Sequence, residues 1–314
     1  MAADIGALFN AGPKVVEGAT FEEGLGFQDL GGPLVHCTNG TIDNLAANEA
    51  ECFEQLRTIL SYLPNSGGDA PPVIPSDDPA SREDLALRSI IPRRQARMYN
   101  PRTIITSVVD RDSWFEIGAL WGRTAIGGLA RLAGHPVGII SLNCEVNGVM
   151  LTNSPAGYAI GTVAERTATM RWGVELAKTY FTTTTPIFNV ITRRAFGVAG
   201  GVMIGSRDPV MQVAWPSGQW GSLPLDGGIE VGHRHELREA EKEGNKVERY
   251  KELEEEYMRL MNPVRTANAF GVEEIIDPKD TRQVCCEWAA HVYDVLIKDR
   301  LADRACGKIH PSFA

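Results

Sequence analysis

The sequence predicts an α/β domain in which helices cover a sheet. Three short runs of branched apolar residues, at 136–142, 186–192 and 209–215, are typical of buried strands. Glycine-rich turns and stretches with helical periodicity separate these runs. Such an alternation is expected when helices pack on a sheet, because each helix needs a surface for its apolar side.

A helix is predicted to begin near Asn48. Phe53, Leu56, Leu60 and Leu63 recur at helical spacing and mark one apolar face. The predicted helix stops where Pro64-Asn65 follows, and we expect its apolar face to pack against another element.

Two further helical regions are predicted downstream. Residues 102–109 favour a short helix. The stretch 233–262 is rich in charge and is interrupted by Gly244-Asn245, which predicts two solvated helices held by ion pairs four residues apart.

The last predicted helix has a well-specified start. Asp277 is suited to the N-cap and Pro278 to the first helical position, with Asp280 in the first turn. Beyond them, four apolar residues are predicted to line one face: Val284, Trp288, Val292 and Val295.

Composition excludes several classes of protein. The 314 residues carry a formal net charge of −9 and are 43% hydrophobic, without a basic stripe. Such a chain is unsuited to coating nucleic acid or an anionic membrane, since both need clustered Lys and Arg. The first residues lack a signal or transit pattern, so we expect a cytoplasmic protein, or a mitochondrial one if a targeting segment is missing. The cysteines and histidines lack metal-site spacing, which predicts free thiols and no metal.

The segment from Ser66 to about Pro79 differs in composition from its surroundings. It is rich in Gly, Pro, Ser and Asp, which disfavour helix and central strand. We therefore place a domain boundary there.

Two glycine-bearing segments are the candidate binding sites. Residues 192–203 follow a predicted strand and lead into a run of small residues, where several main-chain N–H groups would lack helical partners and could bind an oxyanion or enolate. Residues 153–161 precede another predicted helix and could supply further donors. The alternatives are close helix-to-strand packing without a ligand and an ordinary surface loop.

Several segments, in order, carry a family resemblance. Residues 128–138 (GLARLAGHPVG) resemble a GFARLGGxPVG strand, 154–158 (SPAGY) a DxPGF loop, and 193–199 (RRAFGVA) an RKAYGGA motif. These motifs are those of the carboxyltransferase (beta) subunits of biotin-dependent acyl-CoA carboxylases, of the propionyl-CoA and methylcrotonyl-CoA carboxylase type. The resemblance runs over nearly the whole chain.

The resemblance implies a ClpP/crotonase-like β-β-α superhelix. The resemblance also implies three parts: residues 1–65 are the remnant of the N-terminal carboxyltransferase half, 66–90 are a linker, and 91–314 are the C-terminal half. The chain resembles a family member that is truncated at its N-terminus. It also resembles one with an internal deletion between Gly148 and Val149, where the family has a helix and a strand.

The same resemblance implies transfer of a carboxyl group from carboxybiotin to the α-carbon of an acyl-CoA. By the family pattern, the backbone N–H groups of Val198 and Ala199 form an oxyanion hole for biotin, and Phe196 and Gly197 shape the turn. The other biotin- or substrate-binding residues are then Pro155, Gly157, Tyr158 and Gly161. The carboxybiotin would be carried on a partner, a biotin carboxylase or biotin carrier subunit, and the chain would form a homodimer or hexamer.

One departure bears on the site, and two other functions stay open. The family's second glycine is Val198 here, and a valine in a left-handed conformation would be strained. The first alternative is a catalytically silent remnant that acts as an interaction partner. The second is a free-standing crotonase-type acyl-CoA hydratase or hydrolase, which needs a positioned carboxylate, for which Glu165 is the candidate.

Overall fold

The computed structural model describes residues 1–94, 97–146, 162–203, 210–221, 225–268 and 271–308. Backbone contacts divide the chain into two compact units, each built from several stretches of sequence. The first comprises Met1–Ala80, Asn100–Val146 and Ala289–Ala302, and the second Ser81–Tyr99, Asn147–Trp288 and Asp303–Ala314. The division at 66–90 inferred from the sequence stays a prediction.

The named elements up to residue 110 are helices, and strands and helices both occur after it. The helices before that point are α1 (Pro13–Thr20), α2 (Phe27–Gly31), α3 (Pro33–Asn39), α4 (Glu49–Tyr62), α5 (Leu87–Ile90) and α6 (Pro101–Val108). Next come β1 (Phe115–Ile117), β2 (Ala125–Leu132), β3 (His135–Leu142), α7 (Thr162–Arg166), α8 (Thr169–Thr182), β4 (Ile187–Ile191), β5 (Arg194–Phe196) and α9 (Gly197–Met203).

The remaining elements are mostly helical. They are β6 (Val210–Ala214), β7 (Gln219–Gly221), α10 (Leu225–Gly232), α11 (Arg234–Glu243), α12 (Lys246–Leu260), α13 (Pro263–Asn268) and β8 (Glu274–Ile275). The last helix starts with the 3₁₀ turn Pro278–Asp280, continues as α14 (Thr281–His291) and a π-helical turn (Val292–Leu296), and ends as α15 (Ile297–Ala305).

An antiparallel sheet in the order β1-β2-β3 forms the centre of the first unit. Its core joins Ile105 and Val109, at α6, to Ile126 and Ala130 of β2. The predicted helix at 102–109 and strand at 136–142 are thus present. However, β3 pairs only with β2 among the described residues, and Ile140 is 76% exposed, so the prediction of a buried strand is wrong there.

A buried arginine ties separate parts of the first unit together. The Arg131 guanidinium donates hydrogen bonds to the carbonyl oxygens of Ser61 (2.7 Å), Pro72 (2.9 Å) and Gly134 (3.0 Å), and it lies over the Tyr62 ring at 4.8 Å. The amide of Ile74 donates to the Gly134 carbonyl at 3.2 Å. Residues 72–74, within the Pro-rich segment, therefore lie against the β2–β3 turn.

Helix α4 has the predicted start but not the predicted packing. The helix begins at Glu49, as predicted, and the Asn48 side chain is its N-cap, since it accepts a hydrogen bond from the Glu51 amide at 3.0 Å. Phe53, Leu56 and Leu60 are each more than half exposed. The periodicity identified an apolar face correctly, but α4 buries its Tyr62 side instead.

The second unit contains two parallel sheets. One has the order β4-β6-β8, with Val213 and Ala214 fully buried, and the other pairs β5 with β7. The strands predicted at 186–192 and 209–215 are β4 and β6. Parallel strands need covering on both faces, which explains their continuous apolar sequences.

The charged stretch forms the two predicted helices, α11 and α12, with Gly244 in a left-handed conformation between them (φ 79°). The predicted spacing of four residues between ion-pair partners is wrong for these helices. Lys242–Glu239 and Arg249–Glu252 are three apart, while Lys246–Glu241 (2.9 Å) joins the two helices. Leu237 and Leu253 are buried, so packing as well as charge holds the pair.

The start of the last helix is also confirmed, because Asp277 accepts a hydrogen bond from the Lys279 amide at 3.2 Å. Its buried face differs from the prediction. Val284 and Trp288 are half-buried and Val295 is 42% exposed. The buried stripe consists of small, polar and apolar residues together: Thr281, Arg282, Cys285, Cys286, Ala289 and Val292.

Candidate biotin-side carboxyltransferase site

The turn between β5 and α9 is the centre of the candidate site. Strand β5 ends at Phe196 and the helix begins at once with Gly197, whose φ of 62° is left-handed. Glycine tolerates this conformation, which lets the chain turn sharply from strand to helix. Val198 does not have a positive φ. The strain expected for a valine here is therefore absent, because the left-handed residue is its neighbour.

The backbone amides at this turn are available as donors. The first four N–H groups of a helix have no acceptor within it, and in α9 these belong to Gly197, Val198, Ala199 and Gly200. Val198 is 73% exposed and Ala199 only 8%. The turn can thus present main-chain donors to an oxygen that carries negative charge, which is the chemistry of an oxyanion hole.

Close packing against β5 fixes the helix position. A Cβ atom added to Gly200 would lie 2.6 Å from the carbonyl carbon of Ala195 and 2.9 Å from its oxygen. A Cβ added to Gly201 would meet no atom within 4 Å. Only the first of these two glycines is therefore required for α9 to approach the strand.

Both ends of the strand-to-helix segment are anchored. Phe196, expected to shape the turn, is 4% exposed and packs in a core cluster with Leu225, Ile229, Leu237, Leu253 and Met261. The Tyr180 hydroxyl of α8 donates to the Met203 carbonyl at 2.9 Å, and the Asn189 amide donates to the Tyr180 oxygen at 3.2 Å. Helix α9 is thus held by β4 and α8 as well as by the core.

The second predicted loop spans residues 153–161. Pro155, Gly157, Tyr158 and Gly161 lie outside the described residues, so their binding roles remain predictions. Glu165, the carboxylate required by the hydratase or hydrolase alternative, lies in α7 and is exposed.

A groove of about 490 Å³, which the sequence did not reveal, opens at the carboxyl ends of β6 and β8. Trp215 and Ile276 are buried at its floor, and Arg88 and Asp277 line it. The Arg88 guanidinium donates to the Asp277 carboxylate and, with the Lys279 amide, lowers the pKa of Asp277 to about 2. The buried Trp215 indole donates to the Thr281 hydroxyl at 2.9 Å.

The remaining features that bear on function are possible metal ligands, the cysteines and the length of the apolar helices. Within the described ranges, no group of three His, Cys, Asp or Glu side chains is arranged to hold a metal ion. The six cysteines are free thiols, as predicted, and burial raises the pKa of Cys285 to about 12. In the part of the chain that the structure describes, no helix combines the length and apolar character needed to cross a membrane.

Comparison with known protein families identifies one that matches nearly the whole chain. The model of the carboxyl transferase domain matches residues 1–155 and 148–296. This chain belongs to the carboxyl transferase family. The two matches share residues 148–155, which include the point between Gly148 and Val149 where the sequence predicts an internal deletion.

Relatives of this chain are beta subunits of acetyl-/propionyl-CoA and propionyl-CoA carboxylases. The beta5 subunit of the biotin-dependent acetyl-/propionyl-coenzyme A carboxylase of Mycobacterium tuberculosis is 32% identical over 88% of this chain and 56% of its own length. The mitochondrial propionyl-CoA carboxylase beta chain of Homo sapiens is 30% identical over 91% of this chain and 56% of its own length. The chain thus spans little more than half the length of these relatives.

The fold of this chain matches that of transcarboxylase 12S, which confirms the predicted crotonase-like carboxyltransferase fold. The TM-score is 0.78 at 24% identity, over 91% of this chain and 59% of that one. The transcarboxylase was described as a hexamer with methylmalonyl-coenzyme A and methylmalonic acid bound.

Proposed function

We propose that this chain is the carboxyltransferase component that moves a carboxyl group from carboxybiotin to an acyl-CoA, and that the β5–α9 turn binds the biotin. The observation that carries the proposal is the run of helix-start amides at Val198 and Ala199, directly after the left-handed Gly197. Membership of the carboxyl transferase family supports it.

The residues of the turn fit the biotin ring system. Its ureido carbonyl needs hydrogen-bond donors that can approach closely, and backbone N–H groups beside a glycine meet that need. Backbone donors also keep their protons at any physiological pH, so the turn needs no titratable side chain to work. The exposed Val198 side chain borders the approach without strain in its own backbone.

The turn acts by stabilising charge and orienting the partners. When bound, carboxybiotin would supply the carboxyl group as its ring N–C bond breaks; the ring nitrogen freed in this way would accept the proton from the α-carbon of the acyl-CoA, and the α-carbon would take up the CO₂. The Val198 and Ala199 amides donate to the biotin carbonyl oxygen as negative charge builds there. Such preorganised donors typically contribute about 2.7–4 kcal/mol each to lowering a barrier.

The proposal includes partners and a compartment. The biotin reaches the turn on a biotin carboxylase or biotin carrier subunit, the acyl-CoA is the second substrate, and the chain assembles as a homo-oligomer in the cytoplasm. Its relatives are subunits of biotin-dependent enzymes, and the transcarboxylase with the same fold is a hexamer, which supports an oligomeric state.

The test removes a single amide proton. With purified chain, free biotin and malonyl-CoA or methylmalonyl-CoA, we expect biotin-dependent decarboxylation. Ala199→Pro deletes the N–H within the first helical turn, where proline is best tolerated, and should reduce turnover at least 100-fold. Ala199→Gly keeps the N–H and is the matched control, with turnover within a few-fold of the unmodified chain.

A folded chain without turnover would contradict the proposal. That result would favour the second candidate function, a silent interaction partner, for which the exposed apolar face of Phe53, Leu56 and Leu60 on α4 is the specific observation. Equal turnover of the proline and glycine variants would also contradict the assignment of the Ala199 amide.

A further inference from the structure

Arg193, which precedes β5, is buried in an unusual environment. It is only 7% exposed. Its guanidinium donates hydrogen bonds to the carbonyl oxygens of Arg97 at 2.8 Å, Arg94 at 3.1 Å and Pro92 at 3.5 Å. The same group lies 5.6 Å from the centre of the Tyr99 ring. The Arg193 side chain therefore contacts four residues between positions 92 and 99, about 100 positions earlier in the sequence.

These contacts require an arginine. A guanidinium has five N–H donors fixed in a plane, so it can reach several carbonyls in different directions at once. A lysine offers one nitrogen on a flexible stem and cannot cover the same set. Burying a charge is costly unless its donors are satisfied, so the 92–99 carbonyls and Arg193 hold each other in place.

The backbone of Arg193 connects these contacts to the candidate site. Its carbonyl accepts a hydrogen bond from the Gln219 amide at 2.5 Å, where β7 begins alongside β5. Strand β5 then runs for three residues to Gly197. Ala195, in the middle of β5, packs so closely on Gly200 of α9 that a Cβ added there would lie 2.6 Å from the Ala195 carbonyl carbon. A shift at Arg193 would thus pass through a short, tightly packed strand to the helix-start amides.

We propose that Arg193 is a positioning residue for the biotin-side amides: it fixes the register of β5, and so of α9, against the 92–99 segment. This inference rests on the proposed function, because the proposed function is what assigns biotin binding to those amides. Arg193 acts through the backbone and does not touch the substrate.

Hydrogen–deuterium exchange of the full chain tests the positioning without depending on activity. Arg193→Met keeps much of the packing volume and removes all the donors. We expect exchange in peptides covering 192–203 to become at least tenfold faster. Arg88→Met is the matched control, since Arg88 also joins the 81–99 stretch to another part of the second unit, through Asp277. It should leave exchange over 192–203 within twofold of the unmodified chain.

The kinetic readout separates positioning from general loosening. In the biotin-dependent decarboxylation assay, Arg193→Met should lower kcat at least tenfold while the KM for the acyl-CoA stays within twofold. Arg193→Lys should show intermediate exchange rates, and it replaces the methionine variant if that one does not fold.

Three results would overturn the proposal: unchanged exchange over 192–203 in a folded Arg193 variant, equal acceleration by Arg88→Met, or faster exchange with unchanged kcat. An unmodified chain without turnover would defeat the proposed function, but the exchange comparison would still decide whether Arg193 fixes the turn.

Discussion

The two consecutive glycines of α9 allow a direct test of how tightly the site is built. Replacing Gly200 with alanine places a Cβ 2.6 Å from the backbone carbon of Ala195. Neither partner can avoid the clash by changing rotamer, because the obstacle is main chain. The helix must retreat by about 0.8 Å to bring this contact to 3.4 Å, the shortest ordinary separation.

The cost follows from overpacking and helix propensity. Overpacking of this kind typically costs about 1–3 kcal/mol of unfolding free energy. Gly201→Ala makes no contact within 4 Å, and should stabilise the helix by about 0.5–1 kcal/mol. Both variants gain the same helix propensity, so we expect their unfolding free energies to differ by the overpacking cost alone, about 1–3 kcal/mol, although each adds the same methyl group to the same helix.

Urea denaturation followed by circular dichroism measures this difference, and the carboxyl-transfer assay measures its effect on function. A displacement near 1 Å at a site of this kind can reduce a rate about 100-fold, so Gly200→Ala should lose much more turnover than Gly201→Ala. Equal stability of the two variants would refute the close packing of α9 on β5.

Further predictions concern groups away from the turn. The contact with Arg88 lowers the pKa of Asp277 to about 2, whereas the pKa in the unfolded chain is about 3.9. The contact therefore stabilises the fold at neutral pH. This stabilisation is lost as the pH falls from about 4 through 2. Arg88→Met should therefore flatten the acid side of a plot of Tm against pH; an unchanged slope would contradict this. The pKa of about 12 at Cys285 predicts no reaction with a thiol reagent at pH 8 until the chain unfolds, whereas the exposed Cys306 should react within minutes; equal rates would show that Cys285 is accessible.

Local sequence signals predicted much of the fold. The start of α4 after Asn48, the Asp277 cap and the strands β4 and β6 are where these signals placed them, because helix starts and apolar runs depend on neighbouring residues. The packing partners were less predictable. The apolar face of α4 is exposed. The last helix buries Thr281 and Arg282, and apolar periodicity cannot predict their burial because both residues are polar.

In the candidate site, too, local features were predictable from the sequence and long-range contacts were not. Glycine content marked the turn at Gly197 and its amides, and the family motif named Val198 and Ala199. The motif could not show which glycine has the left-handed backbone, and it suggested strain at Val198 that the structure lacks. The role of Arg193 depends on carbonyls about 100 residues away, which no local pattern of residues reveals.

The central claim is that biotin binds at the Val198 and Ala199 amides, and NMR can observe one of them directly. The sequence contains three Val-Ala pairs, ending at Ala164, Ala199 and Ala214. Labelling valine with carbonyl ¹³C and alanine with ¹⁵N therefore gives three amide signals, of which those of Ala164 and the buried Ala214 serve as internal references. Titration with biotin should shift the Ala199 signal and leave the other two in place. No shift of Ala199 at saturating biotin, or equal shifts of all three, would contradict the claim.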